Sequence, residues 1–78
     1  MILSISTAEL AAAMVRILPS FFGATRAVLS AETSRVYGFE RMGPNIANEM
    51  EQAIQYLLDH KIVVEIEGKL QLVEQSEF

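Results

Sequence analysis

Three arginines (Arg26, Arg35 and Arg41), two aromatics (Tyr37 and Phe39) and two asparagines (Asn45 and Asn48) are the side chains of this 78-residue sequence best suited to chemistry. That chemistry is recognition. A guanidinium presents a planar fork of donors to phosphate or carboxylate. Aromatic rings interleaved with arginine occur at protein interfaces and on surfaces that take single-stranded nucleic acid. Asparagine near the start of a groove-facing helix can hold adenine through two hydrogen bonds. The same residue type also begins helices by capping free amides, so both roles stay open for Asn45 and Asn48. The arginines equally suit an ordinary solvated surface, and Phe39 suits a core anchor that pins the loop before a helix.

Catalysis has less to draw on. His60 is the one histidine and there is no cysteine, so neither a Cys–His nucleophile pair nor a histidine-rich metal site can be assembled. His60 and Lys61 fall at the end of a helical pattern, where positive character suits the helix dipole. Glu49 and Glu51, two positions apart, point to different helix faces and make no acid–base pair. Glu65 and Glu67 fall on one face of an alternating segment. Two carboxylates without further oxygen ligands hold a divalent cation weakly, and a charged face that discourages edge-to-edge association explains them more simply. The four glycines follow no phosphate-cradling pattern. The sequence therefore predicts no enzyme, no catalytic residue, no metal site and no cofactor.

Composition narrows the partners. Six basic residues stand against ten acidic ones, a formal net charge of −4. Affinity for DNA is dominated by phosphate neutralisation, so tight nonspecific binding by this chain alone is not expected. Residues 62–78 hold Glu65, Glu67, Glu74 and Glu77 against Lys69 alone, so any anion-binding face must come from the middle of the chain. No run of apolar residues is long enough to span a membrane. The N-terminus lacks the basic and apolar regions of a signal peptide. A cysteine-free chain fits a reducing cytosol, and a cytoplasmic location is expected.

The elements that must position these side chains follow from periodicity. The stretch from Ile2 to Ser6 alternates apolar and polar and reads as a short strand over 2–5 or an extended entry segment. Ser6 and Glu9 make a capping box for a helix over 7–18 that buries Leu10, Met14 and Ile17 and stops at Pro19. Phe21, Phe22, Val28, Leu29, Val36 and Tyr37 are the apolar anchors of the next stretch, which holds a helix over 25–37 closed by Gly38 in the left-handed conformation. Serines and threonines near its middle weaken the case for one unbroken helix. Pro44 opens a third helix over 44–60. Ile46, Met50, Ile54, Leu57 and Leu58 recur there at three- and four-residue steps, with Asn45, Asn48, Glu49, Gln52, Gln55 and Asp59 largely on the other side. A β-hairpin over 62–73 follows. Ile62, Val64, Ile66, Leu70 and Leu72 are expected on one inner face, with Glu67-Gly68-Lys69 as the loop, before a polar tail over 74–78. Strand, helix, helix, helix, strand, strand in a single domain over 1–78 is an α+β, winged-helix-like plan. The N-terminal strand would complete a three-stranded sheet with the hairpin, or wing.

The segment "YGFERMGPNIANEMEQAIQYLLDHKIVVEIEGKLQL" resembles an uncharacterised domain found at the C-terminal ends of large bacterial helicase-like proteins, often beside a restriction-endonuclease-like nuclease domain. The shared elements are Gly38-Phe39, Arg41 with Gly43, Ile46, Ala53-Ile54 and the hairpin around Gly68. Upstream, "STAELAAAMVRIL" is similar to that family's first helix and "FFGATRAV" to the turn after it. The motifs are short and degenerate but cover most of the chain. The resemblance implies a noncatalytic accessory domain of a larger DNA-processing protein, positioning nucleic acid or neighbouring domains. The sequence departs from winged-helix DNA binders in one respect: its third helix and hairpin carry mainly carboxylates and amides where neutral or basic residues are expected, which disfavours phosphate contact. The alternative is an acidic protein–protein interaction or dimerisation module that binds no nucleic acid. Candidate contacts for DNA reached through a parent protein, for a protein partner or for a second copy are Arg26, Arg35, Tyr37, Arg41, Asn45 and Asn48.

Overall fold

A computed structural model describes residues 6–38 and 44–73. The strand expected over 2–5, the tail over 74–78, and Phe39 and Arg41 lie outside the described residues. The order is helix α1 (Thr7–Ile17), a 3-10 turn (Leu18–Ser20), helix α2 (Arg26–Val36), helix α3 (Pro44–Asp59), and strands β1 (Val63–Ile66) and β2 (Lys69–Leu72). Three helices followed by an antiparallel hairpin form an α+β, winged-helix-like fold.

Local chemistry sets the ends of these elements. The Ser6 hydroxyl accepts from the Glu9 amide at 3.1 Å and the Glu9 carboxylate accepts from the Ser6 amide at 3.2 Å, so both halves of the capping box form. Thr25 caps α2 by accepting from the Val28 amide. Gly38, at φ +75°, follows Tyr37 at the other end. α2 is unbroken. Its serines and threonines do not interrupt it because the buried Thr33 hydroxyl donates back to the Leu29 carbonyl at 2.7 Å and stays within the helical pattern. α3 ends without glycine. The Lys61 amide donates to the Leu58 carbonyl and the Ile62 amide to the Leu57 carbonyl, the paired bonds of a Schellman turn, with Lys61 at φ +59°.

The core lies between the helices and the inner face of the hairpin. Leu10, Met14, Leu29, Met50, Ile54, Leu57 and Leu70 are fully buried in it. α3 supplies Met50, Ala53, Ile54 and Leu57 at the spacing read from the sequence, with Ile46 and Leu58 half-buried. The anchors expected between α1 and α3 divide differently. Leu29 is buried and Phe21 and Tyr37 pack at the margin of the core, but Phe22, Val28 and Val36 are exposed. Thr33, Ser30 and Ser34 take the buried positions of α2 instead.

The hairpin corrects the expected face. Val63 pairs with Leu72, Glu65 with Leu70 and Ile66 with Lys69, so the loop is the two residues Glu67 and Gly68 rather than three. Both take positive φ, +53° and +80°, the signature of a tight turn whose twist matches its strands. Shortening the loop by one residue reverses which side of β1 faces inward. β2 has apolar residues on one face only, Leu70 and Leu72, and its burial decides the matter. Val63 goes inward with them, and Val64 and Ile66 face out. The third contributor to the sheet comes from between α1 and α2. Ala24 and Leu70 exchange backbone hydrogen bonds at 3.1 and 2.7 Å, extending the sheet beyond β2. Gly23, at φ +89°, delivers the chain to that bridge, and a Cβ there would stand 3.2 Å from the Lys69 Cβ.

Candidate functional site

Arg26 is the first residue of α2, placed by its Thr25 cap where it overlooks both α3 and the wing. Its Nε and Nη2 donate to the two carboxylate oxygens of Glu65 on β1 at 3.0 and 2.9 Å. Its Nη1 donates to Glu51 Oε1 on α3 at 2.9 Å. The fork-on-carboxylate geometry to Glu65 is the strong form of this contact. Arg26 is a clamp that ties three elements together. Its hydrogen bonds to Glu65, then to Glu51, push its proton affinity up. In return the guanidinium holds the Glu65 carboxyl below its ordinary 4.5.

This geometry redistributes the expected contact residues. Arg26 and Arg35 stand at opposite ends of α2, about 13 Å apart along the axis and half a turn around it, so they form no common patch. Arg26 has its donors committed to carboxylates. Arg35 is 76% exposed and meets Glu32 at 3.5 Å, a loose surface pair within one helix. Tyr37 is half-buried against the core, its hydroxyl directed at the Glu9 carbonyl at 3.5 Å. Asn45 and Asn48 are exposed on the first turns of α3, three positions apart and therefore on one face. That face continues through Glu51, Gln52, Gln55 and Asp59, with Gln55 donating to Asp59 at 2.8 Å. Among the described residues α3 presents amides and carboxylates to solvent and no cation.

Glu65 and Glu67 do not share a site. Glu65 is held by Arg26, and Glu67 is the first residue of the turn. Their separation follows from the positive φ of Glu67, which takes that residue out of the strand geometry. Among the described residues no three His, Asp or Glu side chains gather where they could hold a metal ion, and no helix is long and apolar enough to cross a membrane. His60 completes the end of α3. Its ring lies on that of Tyr56 with centroids 4.1 Å apart, and its Nδ1 is 2.9 Å from the Tyr56 carbonyl.

The surface carries two shallow clefts, one of them at the clamp. One of about 420 Å³ lies between α2 and α3, lined by Arg26, Ala27, Ser30, Ala47 and Glu51. Another of about 350 Å³ lies beside β2 under the exposed Phe22 ring, lined by Leu18, Phe21, Gly23 and Leu72 among others. The residues that sequence reasoning missed are the acidic partners Glu51 and Glu65. The signal for Glu65 was the dipeptide Glu67-Gly68: a two-residue turn pairs Ile66 with Lys69 and so sets Glu65 beside Leu70 on the helix-facing side.

The chain matches no protein-family model, no curated protein and no solved structure.

Proposed function

We propose that this chain is a noncatalytic winged-helix-like domain of a larger, cytoplasmic DNA-processing protein, and that it organises neighbouring protein parts rather than reading DNA itself. The observation that carries this reading is the outward face of α3. In the helix position that would enter a DNA groove, the exposed side chains are Asn45, Asn48, Glu51, Gln52, Gln55 and Asp59. Carboxylates there repel phosphate, and among the described residues the arginine that reaches this face, Arg26, is paired with Glu51 and Glu65. A face of amides and acids suits a basic or polar protein surface, where charge complementarity steers encounter and fixes register. The link to DNA processing rests on the sequence resemblance around Gly38, Arg41, Ile46 and Gly68.

The test is binding between this domain and the remainder of its parent protein supplied as a separate polypeptide. Calorimetry is expected to detect saturable association that weakens at least tenfold when Gln52 and Gln55 are both replaced by lysine. Association unaffected by that double substitution would remove α3 from the interface, and absence of association would remove the docking role.

A further inference from the structure

Among the described residues the outer edge of β1 is open. In the hairpin register, Ile62, Val64 and Ile66 direct their amides and carbonyls to β2, as the Val73 to Ile62 bond at 2.9 Å shows at the far end. Val63 and Glu65 therefore direct theirs away from β2, and among the described residues these groups meet no backbone partner. Edge strands are ordinarily blunted by lysine, proline, a bulge, a very short length, an inward-pointing charge or a covering element. β1 has none of the first three. Its outer face carries Val64 and Ile66, 40% and 48% exposed. Its one charge, Glu65, lies on the opposite, helix-facing side, exposed and paired with Arg26.

We propose that a second copy of this chain pairs with this edge, β1 antiparallel to β1 about a two-fold axis at Val64. The edge is self-complementary in one register. An antiparallel neighbour can bond only through residues whose backbone groups face out, and Val63 and Glu65 are two such residues in regular strand geometry. Centring the axis on Val64 sets Val63 against Glu65 of the other copy and Glu65 against Val63, so every outward group is used. Centring it on Glu65 would oppose two carboxylates and require the turn residue Glu67 to act as strand, and centring it on Val63 would require the left-handed Lys61 to do so. In the favoured register Val64 meets Val64 of the other copy on the outer face, and the exposed Ile66 side chains flank that pair, while Ile62 stays packed against its own core. The combined sheet runs from Ala24 through β2 and β1 into the β1 and β2 of the other copy. A basic or lysine-bearing strand would gain nothing at this edge, because Glu65 already has its cation. Five residues a side bury less than the roughly 1,200 Å² of a standard interface, so the dimer is weak, with a Kd on the order of 100 μM. This pairing does not depend on the docking role of α3.

The chain has no cysteine, so a single introduced thiol reports the geometry. Val64 faces its own symmetry mate in a non-hydrogen-bonded pair, with Cα atoms about 4.5 Å apart, within disulfide range. V64C is expected to crosslink under mild oxidation at least tenfold faster than Q71C, which sits one strand farther from the axis. Sedimentation of the unsubstituted chain is expected to show a monomer–dimer equilibrium, and V64K, which opposes two lysines at the axis on an outward-facing position, is expected to weaken it at least tenfold. Equal crosslinking of V64C and Q71C, a dimer indifferent to V64K, or a monomer throughout the concentration series up to ten times the expected Kd would each overturn it.

Discussion

Replacing Lys61 with glycine should stabilise the domain, because Lys61 occupies a backbone conformation that suits glycine better. Its φ of +59° is imposed by the two bonds that close α3, from Lys61 to Leu58 and from Ile62 to Leu57. A side chain in the left-handed region costs about 1–2 kcal/mol relative to glycine. Glycine also makes the unfolded chain more flexible, which returns about 0.4–1 kcal/mol. The net gain is about 0.5–1 kcal/mol. With an m-value of about 1 kcal/mol/M in urea for a domain this small, the unfolding midpoint should rise by about 0.5–1 M with the slope unchanged. A12G, at an exposed position inside α1, is the control and should lose about 1 kcal/mol. If K61G destabilises as A12G does, Lys61 is not left-handed and the junction that aims the wing from the end of α3 is wrongly described.

Two further substitutions test the interior and the clamp. Ser34 is buried, and its hydroxyl has no hydrogen-bond partner among the described residues; S34A should therefore raise stability by about 1 kcal/mol in thermal or urea unfolding, since an unsatisfied buried hydroxyl costs about 1–3 kcal/mol. Glu65 has its carboxyl held below 4.5 in the folded state by the Arg26 hydrogen bonds, so its contribution is fully present above the unfolded value and is lost as pH falls through the lower folded one. Arg26, whose affinity for its proton is raised, stays charged throughout that window. E65Q should thus be less stable than the unsubstituted chain near neutral pH, and the gap should close on acidification below about pH 4. A gap that persists at acid pH would show that Glu65 acts through packing and not through its charge.

Much of the fold was legible because its signals are local. A capping box, a helix with apolar residues at three- and four-residue steps, and glycine after Tyr37 each specify an element from a handful of neighbours. The features that sequence concealed depend on a choice between two faces. β1 reads as "VVEI" with apolar residues on both sides, so its own pattern does not say which side is inward; Leu70 and Leu72 across the turn decide it. Phe22 has the residue type of an anchor, yet it lies beside Gly23, whose positive φ serves the Ala24 bridge, and the ring is left in solvent. The third member of the sheet was equally hidden, since one residue, Ala24, provides it without any strand-like run. At the candidate site, the placement of Asn45 and Asn48 on the exposed first turns of α3 followed from helix periodicity. The commitment of Arg26 to Glu51 and Glu65 did not, because it joins residues 25 and 39 positions apart in sequence.

That α3 sits in the reading position without reading DNA is most directly tested by following backbone amide resonances during titration with duplex and single-stranded DNA at low salt. No saturable shift is expected at Arg35, Asn45, Asn48, Gln52 or Gln55 at concentrations where a nonspecific DNA-binding domain, with a Kd of about 1–100 μM, would be fully bound. Saturable shifts along that face of α3, weakening as salt is raised, would contradict it.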